Sequence, residues 1–173
     1  PQNQSQSCPT IPNPINPAIG NKYLIESDYR GSDSFQFTRY YNSNDFVPNG
    51  PLGMGWHTHF EKFISAVEIS TGIIAPAAYR ADGKIIDFTL TNGEYVSSQN
   101  INDKLVAIKA DGVRTNWRYT TAPGDQIEEY DAGGRLISTT TRAGFKELLT
   151  YSDGTSGPTH QAIQRRRYCR SIC

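Results

Sequence analysis

From Lys22 to Tyr151 apolar and polar residues alternate in short runs rich in Tyr, Phe, Ile, Val and Thr. A period of two puts successive side chains on opposite faces, which is the pattern of half-buried strands. It predicts strands at 22–29, 34–42, 56–64, 65–70, 85–90, 104–109, 115–120, 126–130, 135–141 and 145–151. Between the runs lie Asn49-Gly50, Asp82-Gly83, Asn92-Gly93, Asp111-Gly112, Gly133-Gly134 and Asp153-Gly154, dipeptides suited to the positive φ of tight hairpins. No window of a dozen residues keeps apolar positions at i, i+3, i+4 and i+7 without a glycine or a turn signal. The expected fold is all-β, an antiparallel meander of stacked hairpins.

A weak repeat supports the meander. YRADGK (79–84), IKADGVR (108–114) and YDAGGRL (130–136) each set an acidic-glycine turn between an apolar strand end and a basic strand start. Such hairpins cannot bury their faces singly and need neighbours.

The ends differ from this body. Residues 1–17 hold five of the ten prolines and six Asn or Gln, too polar to bury and too proline-rich to pair, so they read as an extended linker. The chain starts at Pro1 with no charged segment leading into an apolar one, so a signal peptide is expected to be either absent or already removed, and the gene product to start further upstream. Residues 158–173 contain no acids, four arginines and two of the three cysteines, and are expected to be a disordered basic tail of rearranged or variable origin.

Charge narrows the function. Seventeen basic and seventeen acidic side chains cancel, but Arg165, Arg166, Arg167 and Arg170 cluster in the tail and leave the body mildly acidic, with no nucleic-acid footprint. The longest nearly apolar run, GIIAPAA (72–78), is far short of the roughly 20 residues that span a bilayer. Cys8, Cys169 and Cys173 lie at the two ends and form no pair of metal-binding CxxC motifs.

The chemistry to be weighed lies in GPLGMGWHTHFE (50–61). If 56–64 is one strand, His57, His59 and Glu61 share a face, and two imidazoles with a carboxylate could hold zinc or iron. A solvent-facing strand produces the same polar stripe, so the plainer reading is a glycine-built corner that aims Trp56 at a core. No lysine follows the glycines at Walker spacing, and no serine lies in a G-x-S-x-G context. Tyr23, Tyr29, Tyr40, Tyr41, Tyr79, Tyr95, Trp117 and Tyr119 could stack on sugars, although strand tyrosines usually pack across strands.

The segment 130–151 reads Y-D-x-x-G-R-L-x7-G-x6-Y, fixed by Tyr130, Asp131, Gly134, Arg135, Leu136, Gly144 and Tyr151. It resembles the YD repeat of bacterial Rhs proteins. Upstream, NPINPAIGNK (13–22), FTRYYNS (37–43) and GPLGMGWHTHFE, with Gly50, Gly53, Gly55 and Trp56, are similar to the domain of unknown function that opens the Rhs repeat region. Ile19 departs from that pattern, which usually has threonine before the glycine.

The resemblance covers about residues 13–155 and implies a division into linker (1–17), an Rhs N-terminal-type β domain (18–125), YD-repeat hairpins (126–157) and tail (158–173). It implies a secreted or envelope-associated bacterial protein whose strands build a shell around a C-terminal toxin. Its partners would be the remaining shell repeats and that toxin, with a secretion apparatus or a cell-surface glycan as further ones. On this reading the chain is a structural N-terminal segment, not an enzyme, with no cofactor. A carbohydrate or cell-surface binding module is the alternative, and a metal-dependent hydrolase using His57, His59 and Glu61 the distant one.

Overall fold

A computed structural model of the chain describes residues 15–16, 19–30, 36–44, 52–70, 73–97, 101–151 and 163–168. Every helix or strand among them is a strand, and the sheets are antiparallel. The chain divides into two compact units, one of Pro1–Lys62 with Arg80–Ile85 and the other of Phe63–Tyr79 with Ile86–Cys173.

The first unit carries a four-stranded sheet in the order β1 (Ile15–Asn16), β2 (Asn21–Arg30), β3 (Gln36–Asn42), β4 (Trp56–Thr58). Its buried positions are largely polar: Asn21, Thr38, Asn42 and Thr58, with Tyr23. A buried polar group is costly unless it is hydrogen-bonded, and Asn21 shows how the cost is met. Its Oδ1 accepts from Ser43 Oγ at 3.0 Å and from the Asn44 amide at 3.2 Å, which ties the end of β3 to the start of β2. The Arg80–Ile85 segment packs here too, since a Cβ on Gly83 would lie 2.7 Å from Asn42 Nδ2. Burial, together with the Asp82 carboxylate, raises the Tyr23 and Tyr40 phenols above their ordinary pKa.

The second unit is a ten-stranded meander of β5 (Phe63–Ser70), β6 (Ile73–Tyr79), β7 (Ile85–Thr91), β8 (Glu94–Ser97), β9 (Lys104–Ala110), β10 (Val113–Thr120), β11 (Ile127–Asp131), β12 (Leu136–Thr140), β13 (Lys146–Tyr151) and β14 (Ile163–Tyr168), each beside its sequence neighbours. The period-two pattern sets its faces: Ile86 and Phe88 are buried on β7, Trp117 and Tyr119 on β10, and Glu128 and Tyr130 on β11. Asp87, Thr89 and Arg118 alternate with them and are exposed. Trp117, Tyr119, Tyr130 and Leu136 are fully buried, each contributing about 2 kcal/mol or more by removal from water.

The departures from the sequence reading have local causes. The strand expected at 56–64 ends at Thr58, because the Glu61 amide turns back to the Thr58 carbonyl (3.0 Å) and the Lys62 amide to that of Phe60 (2.8 Å); β5 then starts afresh at Phe63. β6 was hidden by Pro76, which signals an edge or a break yet lies buried opposite Ala66. β8 is only four residues long and starts on a glutamate. The expected linker contributes the two residues of β1, and the expected disordered tail contributes β14, paired with β13 from Lys146↔Tyr168 to Tyr151↔Ile163. β14 is outermost in the sheet. The rest of both termini, with Asn49-Gly50 and Asp153-Gly154, lies outside the described residues.

The three repeat turns are not one unit. Asp111-Gly112, like Asn92-Gly93, has positive φ at both residues, which makes a two-residue type I′ turn. In the Asp82-Gly83 and Gly133-Gly134 turns only the second residue has positive φ. There the Arg80 and Asp131 amides bond to the Lys84 and Arg135 carbonyls, while the Gly83 and Gly134 amides return to the Arg80 and Asp131 carbonyls. This is the three-residue loop with a glycine bulge. Thr141–Phe145 repeats the same bonds through Gly144, so the true third member is TRAGF and not IKADGVR.

Candidate functional site: two glycine-built joints

The residues singled out in the sequence gather at two places, one in each unit. In the first unit the corner is built from β3, β4 and the Gly53–Trp56 turn. Gly53 and Gly55 have φ of +94° and +76°, and the Trp56 amide bonds to the Gly53 carbonyl at 3.2 Å. At Gly55 a side chain is excluded, because its Cβ would lie 2.8 Å from the Asn42 carbonyl and 3.1 Å from the Tyr41 ring. Trp56 pairs with Tyr41 in register, with ring centroids 5.2 Å apart, and the Arg39 guanidinium lies 4.8 Å over its ring. Arg39 also binds Glu26 (2.8 Å) and Asp28 (2.6 Å), and its hydrogen bond holds the Asp28 carboxyl below its usual pKa. Trp56 is thus half-buried between Tyr41 and an arginine rather than sunk in a core, and Gly50 lies outside the described residues.

The His57, His59, Glu61 constellation divides here. Because the backbone turns after Thr58, Glu61 comes back to His57, with Oε2 2.8 Å from Nδ1, and its Oε1 accepts from the Thr58 hydroxyl at 3.3 Å. His59 is engaged elsewhere: its Nδ1 accepts from the Thr38 amide at 3.3 Å, its own amide bonds to the Thr38 carbonyl, and its ring lies against Phe60 and Phe37. The shared face required for a three-ligand site depended on a continuous strand, which the turn removes. Among the described residues no group of three or more His, Cys, Asp or Glu is placed to hold a metal ion.

The second joint is the 130–151 motif, whose seven fixed positions are all described. Tyr130 is fully buried and its hydroxyl donates to the buried Glu128 carboxylate at 2.7 Å. Asp131 Oδ1 accepts from the Arg135 amide at 2.9 Å, and Oδ2 pairs with Arg135 Nε at 2.7 Å, closing the turn from both sides. Gly134, at φ +87°, could carry no side chain: a Cβ would lie 1.8 Å from the Ile64 carbonyl oxygen of β5. Leu136 is fully buried.

Gly144 forms the next turn, and the register Ser138↔Leu148, extended outward, sets Tyr151 opposite Arg135. There the Arg135 guanidinium lies 5.2 Å over the Tyr151 ring and the Tyr151 hydroxyl donates to the Leu136 carbonyl at 2.8 Å. The motif's spacing follows from this pairing. Burial, and after it the opposing charges of Arg135 and Asp131, leave the Tyr151 phenol raised to about 12.

The tyrosines and tryptophans weighed as sugar platforms are mostly unavailable. Trp117 and Tyr119 are fully buried, Tyr23 is buried, Tyr40, Tyr41, Tyr79 and Tyr95 are half-buried, and Tyr29 alone of the set is exposed. Trp117 spends its ring on Tyr95 and Arg114. Sequence reasoning missed the receivers of the second joint, Phe63 and Ile64, and the Thr141–Phe145 turn. The turn could have been found from its glycine spacing, whereas nothing local marks the receivers.

Residues 12–88 match the family described as Domain of unknown function (DUF6531). No curated protein and no solved structure matches the chain. The match contains the whole first joint and stops well before the second.

Proposed function

We propose that the chain is a structural, non-enzymatic segment of an Rhs-type YD-repeat protein of the bacterial surface or secretions. Its strands would contribute to a shell that encloses a C-terminal toxin, with the further shell repeats and that toxin as its partners. One observation carries the reading: each fixed position of the Y-D-x-x-G-R-L-x7-G-x6-Y motif described above is consumed by packing, by a turn bond or by an ion pair, leaving none for chemistry. The match of residues 12–88 is consistent with the similarity to the domain that opens Rhs repeats. No helix of the described residues is long and apolar enough to cross a membrane.

The test is elongation. In an array whose units stabilise their neighbours, added units raise stability. A chain with two further Y-D-x-x-G-R-L hairpins fused beyond β13 should melt at a higher temperature than the chain alone. An unchanged or lower melting temperature with the added hairpins folded would overturn the reading.

A further inference from the structure

The strand order places β5 at one end of the ten-stranded sheet, with six strands between it and β12. Yet the start of β5 is bonded to the turn that precedes β12: the Ile64 amide donates to the Gly134 carbonyl at 2.9 Å, and Phe63 bridges Arg135. The Ile64 carbonyl presses on Gly134 so closely that only hydrogen fits there. Both sides of the contact are buried, Ile64 at 1% exposure and Leu136 at 0%.

Side chains extend the contact in both directions. On β6, Tyr79 stacks on Phe63 with centroids 4.2 Å apart and planes within 8°. On β13, Tyr151 lies under Arg135, whose partner Asp131 holds the turn shut. Tyr79, Phe63, Arg135 and Tyr151 therefore form one row across β6, β5, the turn and β13. A two-stranded hairpin standing alone is marginal in water, and β5–β6 gains its second set of neighbours from this row.

We infer that the Asp131–Arg135 turn is a clasp for β5, so that the β5–β6 hairpin, inside the matched family region, completes its fold only when the hairpin some 70 residues later has formed. The sheet's terminal strand is thereby held by a turn instead of being left as an open edge at Phe63 and Ile64. This concerns the folding of the second unit itself and stands or falls apart from the shell assignment.

Amide hydrogen exchange on the full chain tests it. Gly134→Val should accelerate exchange of the Ile64 amide and its β5–β6 neighbours by about tenfold or more, while amides of the β9–β10 pair keep their protection. Unchanged protection at Ile64 would overturn the clasp.

Should that variant fail to fold, a cross-link decides. Directly opposed antiparallel residues lie within disulfide reach. Phe63→Cys with Arg135→Cys, in a chain whose Cys8, Cys169 and Cys173 are serine, is exposed to oxidised glutathione, which takes the two thiols to one disulfide and leaves two reduced glutathiones. The clasp predicts cross-linking about tenfold faster than in a Phe63→Cys, Val113→Cys control. Equal rates in the two would overturn it.

Discussion

The two joints use the same materials differently. Both turn on a glycine at positive φ, both set an arginine over an aromatic ring, and both include a carboxylate in an ion pair. In the first joint the ion pairs of Arg39 lie on the exposed side, and the buried positions of the surrounding sheet are largely polar. In the second the turn's base is buried although its tip is exposed: Tyr130, Gly134 and Leu136 are buried, and the turn's peptide bonds to a strand distant in sequence. A corner whose glycine meets the carbonyl of the adjacent strand can relax by a small shift. A clasp whose glycine meets a distant strand must separate from it.

That difference orders the substitutions. Gly134→Ala combines left-handed backbone with a 1.8 Å approach to a carbonyl oxygen, and should cost about 3 kcal/mol or more in urea unfolding. Gly55→Ala meets Asn42 O at 2.8 Å and the edge of the Tyr41 ring; a cost of about 2 kcal/mol is expected. Tyr130→Phe removes one hydrogen bond from the buried Glu128 carboxylate and should cost about 1–2 kcal/mol by the same measurement. Gly144→Ala and Gly53→Ala have open space around the added methyl, so they should show only the conformational cost, about 1 kcal/mol. Equal losses at Gly134 and Gly144 would erase the distinction between a clasp and an ordinary turn.

The last effect is confined to alkali. The Tyr151 phenol is raised to about 12 in the folded chain against about 10 in an unfolded one. A group of this kind gives its full stabilisation below pH 10 and loses it as pH rises toward 12. Tyr23 and Tyr40 are raised as well, so the first unit too should lose stability as pH climbs past about 10. Tyr151→Phe should flatten the second unit's share of the stability-versus-pH curve, as followed by denaturant titration between pH 9 and pH 12.

Much of the second unit was legible because its code is local. Alternation marked strands at 85–90, 115–120 and 126–130, where β7, β10 and β11 lie, and the spacing of Tyr130, Asp131, Gly134 and Tyr151 marked one hairpin before any register was known. What failed depended on contacts that a local pattern does not carry. Pro76 conceals a strand because propensity treats proline as a break, while its buried place in the sheet outweighs the missing donor. His57, His59 and Glu61 looked like one face because nothing in His-Thr-His-Phe-Glu announces the turn after Thr58. The role of Gly134 beyond its own turn needed the Ile64 carbonyl, 70 residues away in the chain and invisible to periodicity.

Sedimentation velocity of the isolated chain across a range of concentrations tests the structural reading most directly. On the proposed shell reading, strands that pair with further repeats leave edges that associate in a chain tested without those repeats. The sedimentation coefficient should therefore rise with concentration. A sharp monomer at every concentration, unfolding in one cooperative transition, would contradict the account.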